Sequence, residues 1–176
     1  MLKLNNLGKR ICIIGPSSSG KSTLAKNLGN KLGLEVCYLD QLAHLPNTNW
    51  VIRDKELLKR DHNEFIQNNK FWIIEGNYSF LMKKRFTHAT TVIWLDFRTI
   101  DTFFRYINRS LKDNASRAGN LQGATQQLSI SQIKSIISEA PKNRIKYRNL
   151  IQQSQVNLIH IDSFRKLNYY YKKWKL

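Results

Sequence analysis

Cysteine is scarce in this 176-residue chain, and long apolar runs are missing. The two cysteines, Cys12 and Cys37, both lie inside short apolar segments, so we expect buried thiols in a reducing compartment, without a catalytic or metal-binding role. No apolar run reaches the roughly 18 residues of a membrane-spanning helix. The first ten residues lack the apolar region of a signal peptide. We therefore expect a cytoplasmic protein.

Acidic residues are also few. Twelve Asp and Glu residues stand against 29 Lys and Arg residues, which gives a formal net charge of +17. The excess is uneven, because residues 81–176 hold eighteen of the basic side chains and only five of the acidic ones. Such a field attracts polyanions, and both nucleotide phosphates and nucleic acid qualify as partners. A hydrophobic content of 41% excludes a wholly disordered chain, and we predict one domain over 1–176.

One motif has a fixed spacing. In RICIIGPSSSGKSTLAKNLGNKL (10–32), Gly15, Gly20, Lys21 and Ser22 match G-x-x-x-x-G-K-[ST], the phosphate-binding P-loop. The glycines let successive N–H groups curl round a phosphate, and a helix N-terminus points at the same anion. A Gly/Ser-rich linker is the alternative, which the apolar run before the motif and the helical pattern after it disfavour. We predict that a nucleoside triphosphate is bound by Gly15, Pro16, Ser17, Ser18, Ser19, Gly20, Lys21, Ser22 and Thr23.

Short apolar runs alternate with helical patterns along the chain. The runs RICIIG, LEVCYLD, FWIIEG, TTVIWLD and QVNLIHID are typical of buried parallel strands. Amphipathic patterns occupy 21–32, 51–69, 80–86, 100–111, 130–138, 143–153 and 164–174. This alternation predicts an α/β domain with a central parallel sheet, whose ligand site lies beyond the carboxyl ends of the strands. Gly76 and Asn77 fall there, and we predict that they contact substrate.

Three carboxylates fall at the same edge of the predicted sheet. Glu75 and Asp96 each end an apolar run, and either could hold the water shell of Mg²⁺ beside the Ser22 hydroxyl. We rank Glu75 first because it follows FWII and precedes glycine, although it could instead cap the next turn. Asp40 ends the second run, where it could accept a proton from an acceptor hydroxyl or bind that hydroxyl. Its alternative role is a helix N-cap.

Cations complete the predicted site. Lys21 would reach the β- and γ-phosphates, which makes it a catalytic residue. Arg105 and Arg109 are four residues apart and share a helix face, from which both could steady charge on the triphosphate in catalysis. A solvated surface pair is the alternative. Trp50, in the loop HLPNTNW, could stack on an acceptor or simply cover the core.

The segment 112–127, KDNASRAGNLQGATQQ, is polar and has no apolar periodicity. We interpret 112–140 as a lid region and 41–70 as an acceptor-side region, and a merely disordered loop is the alternative for the first. Further arginines that could close over a ligand are Arg117, Arg144 and Arg148.

The series GPSSSGKST, LDQL, WIIEGNY, VIWLDFRTIDTFFRYINRSL and APKNRIKYRNLI resembles the adenylate-kinase-like P-loop proteins, and within these the topology modulation proteins of the FlaR type. The resemblance implies a three-layer P-loop NTPase fold with five parallel strands in the order 2-3-1-4-5 and a small lid after strand 4. It also implies ATP and Mg²⁺ at 15–22, with Arg105 and Arg109 at the base of the lid. Where adenylate kinase has Asp-Gly-Phe-Pro-Arg, this chain has EGNYS (75–79), which argues against AMP as the acceptor.

Two functions remain open from the sequence. The first is an ATP-dependent kinase of a small hydroxyl-bearing metabolite or nucleoside. The second is a nucleic-acid-associated NTP-binding protein that modulates DNA topology, supported by the basic half of the chain and by the segment NYYYKKWK (168–175), which interleaves aromatics with lysines. For that segment, a helix whose rings pack on the sheet is the alternative. A switch GTPase is disfavoured because no N-K-x-D motif is present.

Overall fold

The computed structural model describes residues 3–111, 118–123 and 129–176, and five parallel strands run through its centre. The strands are β1 (Arg10–Ile14), β2 (Glu35–Tyr38), β3 (Trp72–Glu75), β4 (Thr91–Leu95) and β5 (Asn157–Ile161). Their order across the sheet is β2-β3-β1-β4-β5, with β1 paired to both β3 and β4. The predicted α/β class and the strand order implied by the resemblance are both confirmed.

Helices connect the strands and cover the sheet. A short 3-10 helix spans Leu4–Leu7, and the α-helices are α1 (Lys21–Leu32), α2 (Leu39–Ala43), α3 (Lys55–Asn68), α4 (Ser79–His88), α5 (Thr99–Ser110), α6 (Ile130–Lys134), α7 (Ala140–Ser154) and α8 (Phe164–Trp174). A π-helical turn, Ser135–Glu139, joins α6 to α7. Because the strands are parallel, each connection must cross back over a face of the sheet, and these helices do so.

Both faces of the sheet are buried, as the apolar strand composition predicts. In β1, Ile11 and Ile13 pack in one core with residues of α1 and α8, while Cys12 and Ile14 pack in the other with residues of α3, α4 and α7. All four side chains are fully buried. The result is three layers, helices–sheet–helices, and both cysteines are free thiols inside the second core.

Two element boundaries differ from the prediction. Strand β2 ends at Tyr38, so Asp40 does not end a strand; it lies in the first turn of α2. Helix α3 begins at Lys55 instead of residue 51, because the Asp54 carboxylate accepts hydrogen bonds from the amides of Glu56 (2.9 Å) and Leu57 (3.1 Å). An N-cap of this kind sets where a helix starts more strongly than apolar periodicity does.

The aromatic–lysine segment near the C-terminus forms α8. Leu167, Tyr170 and Trp174 are buried against the sheet, and Tyr169 is 45% exposed. The buried rings cannot stack on nucleic-acid bases, so this segment gives no support to the nucleic-acid alternative. Within the described part of the chain, no helix combines the length and the apolar character needed to cross a bilayer.

His62, on α3, gives the fold a specific pH dependence. Its side chain is fully buried, and burial together with the charge of Arg85 lowers the pKa of the imidazole from 6.5 to about 4. Between these two pH values the imidazole is protonated in the unfolded chain but neutral in the folded chain. The contribution of His62 to the free energy of unfolding is therefore fully present above pH 6.5 and is lost as the pH falls towards 4. The loss attributable to His62 is about 3 kcal/mol at most.

Urea unfolding as a function of pH measures this effect. His62→Gln is expected to remove that share of the acid-side loss, whereas His88→Gln, at an exposed position on α4, keeps the wild-type profile. Parallel profiles for the wild type and His62→Gln would contradict the assignment.

Candidate active site

The P-loop connects β1 to α1 and encloses polar atoms that lack partners. Ser18 and Ser19 have buried hydroxyls, and neither has a hydrogen-bond partner among the described residues. The Lys21 ammonium group folds back onto the Pro16 carbonyl oxygen at 2.9 Å. Buried polar groups are normally satisfied, so unpaired hydroxyls beside a helix N-terminus and a lysine fit a site that takes up an anion. Ser17 Oγ donates to Gln132 Oε1 on α6 (3.3 Å), and the Thr23 side chain is exposed on α1.

A carboxylate lies at the other end of the loop. Ser22 Oγ donates a hydrogen bond to Glu75 Oε2 at 3.1 Å, and Lys21 Nζ lies 3.7 Å from Glu75 Oε1. Glu75 is almost fully buried, and this desolvation raises the pKa of its carboxyl group, while the Lys21 charge opposes the rise and the Asp40 charge adds to it.

The Ser22 hydroxyl and the Glu75 carboxylate are the oxygen ligands that suit Mg²⁺. The described residues contain no group of three or more His, Cys, Asp and Glu side chains arranged to hold a metal ion. An ion at this position would therefore need nucleotide phosphates and water to complete its coordination, as Mg²⁺ in phosphoryl-transfer sites does. Asp96, the other candidate, has different partners.

Asp96 follows β4 and forms two charged contacts. Arg144 Nε donates to Asp96 Oδ1 at 2.5 Å, and His160 Nε2 lies 2.9 Å from Asp96 Oδ2. A second guanidinium nitrogen of Arg144 donates to the Phe97 carbonyl oxygen at 2.9 Å. The structure thus ties α7 to the ends of β4 and β5 through Asp96, whereas Arg148 is exposed on α7. His160 has no motif around it that would have marked it in the sequence.

Gly15 is enclosed on two sides. The Asn77 carboxamide bonds to both of its main-chain polar groups, at 3.1 Å to the amide and 2.8 Å to the carbonyl oxygen. A Cβ atom on Gly15 would lie 2.4 Å from the Leu95 carbonyl oxygen, and φ is +150°. Asn77, predicted to touch substrate, therefore contacts the first residue of the P-loop.

Arg85 is the functional residue that the motif analysis misses. It is fully buried on α4, and its guanidinium group donates to the carbonyl oxygens of Gly76 (2.9 Å) and Asn77 (3.1 Å). Burial lowers the pKa of this guanidinium. The sequence carries a signal for it: Leu81, Met82 and Phe86 are the buried apolar positions of α4, and Arg85 shares their face.

Asp40, directly before the acceptor-side region, and Trp50, within it, have different partners. The Tyr78 hydroxyl donates to Asp40 Oδ1 at 2.9 Å, and burial with the nearby Asp40 charge raises the pKa of Tyr78. Trp50 packs edge-on against His44, with ring centroids 5.2 Å apart. The loop closes on itself through an antiparallel bridge between His44 and Ile52.

One member of the arginine pair on α5, Arg105, contacts the P-loop. Arg105 Nε donates to the Ser18 carbonyl oxygen at 3.2 Å, and its guanidinium group covers the Phe164 ring at 4.2 Å. The Arg109 guanidinium group lies 5.5 Å from the Tyr106 ring centroid. Arg105 therefore touches the main chain of the predicted nucleotide site directly.

A cleft opens beside the first residues of the P-loop. Its volume is about 550 Å³ including the space open to solvent. The lining comes from the P-loop, the carboxyl ends of β3 and β4, the first turn of α5, the π-helical turn and α7. Polar side chains on the wall include Ser17, Asn77, Asp96, Thr99, Asn143 and Arg144. Asn77 lines this cleft, whereas Asp40, Trp50 and Gly76 are not among its lining residues.

The structure describes only part of the predicted lid region (112–140). Residues 112–117, including Arg117, and 124–128 lie outside the described residues. The stretch between them contacts the acceptor-side region: the Asn47 amide donates to the Gln122 carbonyl oxygen (2.8 Å), and Gln41 Nε2 donates to the Asn120 carbonyl oxygen (2.9 Å). The two regions thus meet in this structure.

Solved structures share the fold at low sequence identity. A shikimate kinase from Bacteroides thetaiotaomicron matches with a TM-score of 0.58 and 16% identity, over 96% of this chain and 99% of that one. A deoxyadenosine kinase from M. mycoides with bound dATP matches with a TM-score of 0.51 and 12% identity, over 94% of this chain and 99% of that one. The YorR protein of Bacillus subtilis, in complex with phosphorylated GDP, gives 0.50 and 17%, over 86% and 84%.

No protein-family model matches the chain, and no curated protein does. The solved structures show that the chain has a P-loop kinase-like fold, and the likeness concerns the fold alone.

The crowding at Gly15 makes a sharp prediction. Gly15→Ala forces a Cβ atom into the Leu95 carbonyl oxygen, so we expect a stability loss of about 1–3 kcal/mol and at least about tenfold weaker Mg·ATP binding. Gly33→Ala is the matched control, because Gly33 also has positive φ (+63°) but nothing lies within 4 Å of its added Cβ. It should cost about 1 kcal/mol and leave binding unchanged. Equal effects of the two variants on nucleotide affinity, measured by calorimetry, would refute this account.

Proposed function

We propose that this protein is an ATP- and Mg²⁺-dependent phosphotransferase that acts on a small hydroxyl-bearing metabolite or a nucleoside. The observation that carries the proposal is the loop at 15–22, with its unpaired Ser18 and Ser19 hydroxyls, the Lys21 ammonium group and the buried Ser22–Glu75 contact. Unpaired donors, a helix N-terminus and a partly buried lysine together suit a triphosphate better than any neutral ligand.

Each residue has a role in this proposal. The N–H groups of the P-loop and Lys21 bind the phosphates, and Arg105 and Arg109 steady the charge that develops during transfer. Ser22 and Glu75 hold Mg²⁺, which neutralises phosphate charge when bound. In the reaction, the acceptor oxygen forms a bond to the γ-phosphorus, the bond from that phosphorus to the bridging oxygen breaks, and ADP leaves with the electron pair.

The acceptor is proposed to lie between the cleft beside the P-loop, which Asn77 lines, and Asp40, which the neighbouring Tyr78 binds. The cleft combines amide, hydroxyl and guanidinium groups with the rings of Trp94, Phe97 and Tyr147, which suits a small molecule with several polar substituents. Asp40 takes the proton of the acceptor hydroxyl; the Tyr78 hydroxyl occupies one of its oxygens and orients the other. Gly76 and Trp50 complete the acceptor side.

Two finer assignments belong to the same proposal. Membership of the FlaR-type topology modulation group rests on the residue series quoted above, and a cytoplasmic location is supported by two free thiols buried in the core. The lid (112–140) and the acceptor-side region (41–70) are proposed to close over the ligands together, supported by the hydrogen bonds that join Gln41 and Asn47 to residues 120 and 122.

Lys21 tests nucleotide binding. We expect Lys21→Ala to weaken Mg·ATP binding by about tenfold or more and to reduce phosphoryl transfer by about 100-fold or more, because it removes the cation that faces the β- and γ-phosphates. Lys26→Ala, at an exposed position on the same helix, is the control and should behave like the wild type. Titration calorimetry measures the first effect. Undiminished ATP affinity in Lys21→Ala would remove the basis of the proposal.

Asp40 tests the transfer step. Purified protein with Mg·ATP is screened by ³¹P NMR against nucleosides, sugars and hydroxy acids, and the best acceptor is then used with variants. Asp40→Asn should reduce kcat by about 100-fold or more, while ATP affinity stays within about twofold. Asp162→Asn, an exposed carboxylate after β5, is the control. Normal ATP binding without any phosphorylated product across the panel would rule out a phosphotransferase of this kind.

A further inference from the structure

The β1–β3 ladder ends in an unusual way. The last paired residues are Ile13 and Glu75, and the Gly76 amide still donates to the Ile13 carbonyl oxygen at 3.1 Å. In a parallel ladder the next two bonds would run from the Gly15 amide to the Gly76 carbonyl oxygen and from the Tyr78 amide to the Gly15 carbonyl oxygen. The described main chain makes neither of them.

The side chain of Asn77 replaces both bonds. The Gly15 amide donates to Asn77 Oδ1 (3.1 Å), and Asn77 Nδ2 donates to the Gly15 carbonyl oxygen (2.8 Å). A carboxamide carries one donor group and one acceptor in a plane, which is the pattern that a neighbouring strand would offer. Gly15 is thus held as if the ladder continued, although the chain after β3 has already turned away.

Arg85 donates hydrogen bonds to the main-chain carbonyl groups that the missing ladder bonds would otherwise leave without a partner. The Gly76 carbonyl oxygen, which the ladder would have used, accepts from one guanidinium nitrogen of Arg85 at 2.9 Å. The Asn77 carbonyl oxygen accepts from the other at 3.1 Å. Because Arg85 is fully buried in the core, its two bonds fix the main chain at residues 76 and 77. The Asn77 side chain is thereby oriented towards Gly15.

We infer that Asn77 is a positioning residue for the P-loop, and that Arg85 supports it, rather than Asn77 being a substrate contact. Both polar atoms of its carboxamide already bond to Gly15, the residue from which the loop begins its turn. The same loop carries Tyr78, which binds Asp40, so the conformation of the nucleotide site and the orientation of the acceptor side depend on one short segment. The positioning role of Asn77 follows from the hydrogen-bond geometry. Its importance for catalysis rests on the proposed function.

Two substitutions at Asn77 test the inference. Asn77→Ala removes both bonds, and we expect Mg·ATP affinity to fall by about tenfold. Asn77→Asp keeps the shape and an acceptor for the Gly15 amide, but it replaces the Nδ2 donor with an oxygen that repels the Gly15 carbonyl oxygen. We therefore expect Asn77→Asp to lose about tenfold or more in affinity as well. Asn168→Asp, an exposed position on α8, controls for the added charge.

The alternatives give different results. If Asn77 contacted only the acceptor, Asn77→Ala would bind Mg·ATP like the wild type and would raise the acceptor KM instead. If the charge of Asn77→Asp acted only by repelling phosphate, Asn77→Asp would bind Mg·ATP weakly but Asn77→Ala would again be normal. Either result overturns the inference.

A readout that needs no nucleotide separates this test from the proposed function. Hydrogen exchange of the Gly15 amide, followed by NMR, should accelerate about tenfold in Asn77→Ala and less in Asn77→Asp, whose carboxylate still accepts from this amide. Unchanged exchange of this amide in a folded Asn77→Ala protein would overturn the inference whether or not ATP binds.

Discussion

The hydrogen bonds of Gly15 come from a side chain instead of a neighbouring strand, and the site depends on this. A P-loop must leave successive N–H groups unpaired so that they can meet an anion, yet the residue where it starts has to be fixed. Asn77 fixes that residue from one side and the Leu95 carbonyl oxygen crowds it from the other. The main chain therefore enters the P-loop with one fixed orientation at the edge of the sheet.

Charge is arranged around this edge so that a polyanion is needed to complete it. Lys21, Arg105 and the N-terminus of α1 face the loop, while Glu75 supplies a buried carboxyl group whose pKa is raised by desolvation and held back by the charge of Lys21. Lys21 Nζ contacts the Pro16 carbonyl oxygen, and the hydroxyls of Ser18 and Ser19 lack hydrogen-bond partners among the described residues. A triphosphate with a divalent cation would satisfy these groups together. The surplus positive charge of the C-terminal half then acts at long range to attract such a ligand.

Motif and periodicity predict those parts of the site that are local in sequence. The P-loop, the strand that ends at Glu75 and the helix face of Arg105 and Arg109 each follow from neighbouring residues, and the fold class follows from strand–helix alternation. Asp40 was misplaced because β2 ends early and a five-residue helix follows it, a boundary that propensity does not fix.

Contacts between distant segments could not be predicted in this way. Arg85 sits among the basic residues of KKRF, which suggests a surface, and only the apolar neighbours on its helix face indicate burial. The link from Asn77 to Gly15 spans 62 positions and depends on the strand register, and that from Arg144 to Asp96 spans 48. Side-chain replacement of ladder bonds becomes visible only when the two strand ends are placed side by side.

The main-chain amides of the loop between β1 and α1 are proposed to bind a triphosphate, and backbone amide NMR during titration with Mg·ATP observes these groups themselves. We expect large, saturable shifts of the amides from Ser17 to Ser22, together with smaller changes at Asn77 and Arg105. Shifts confined to other regions of the chain, with these amides unmoved at saturating Mg·ATP, would contradict this proposal.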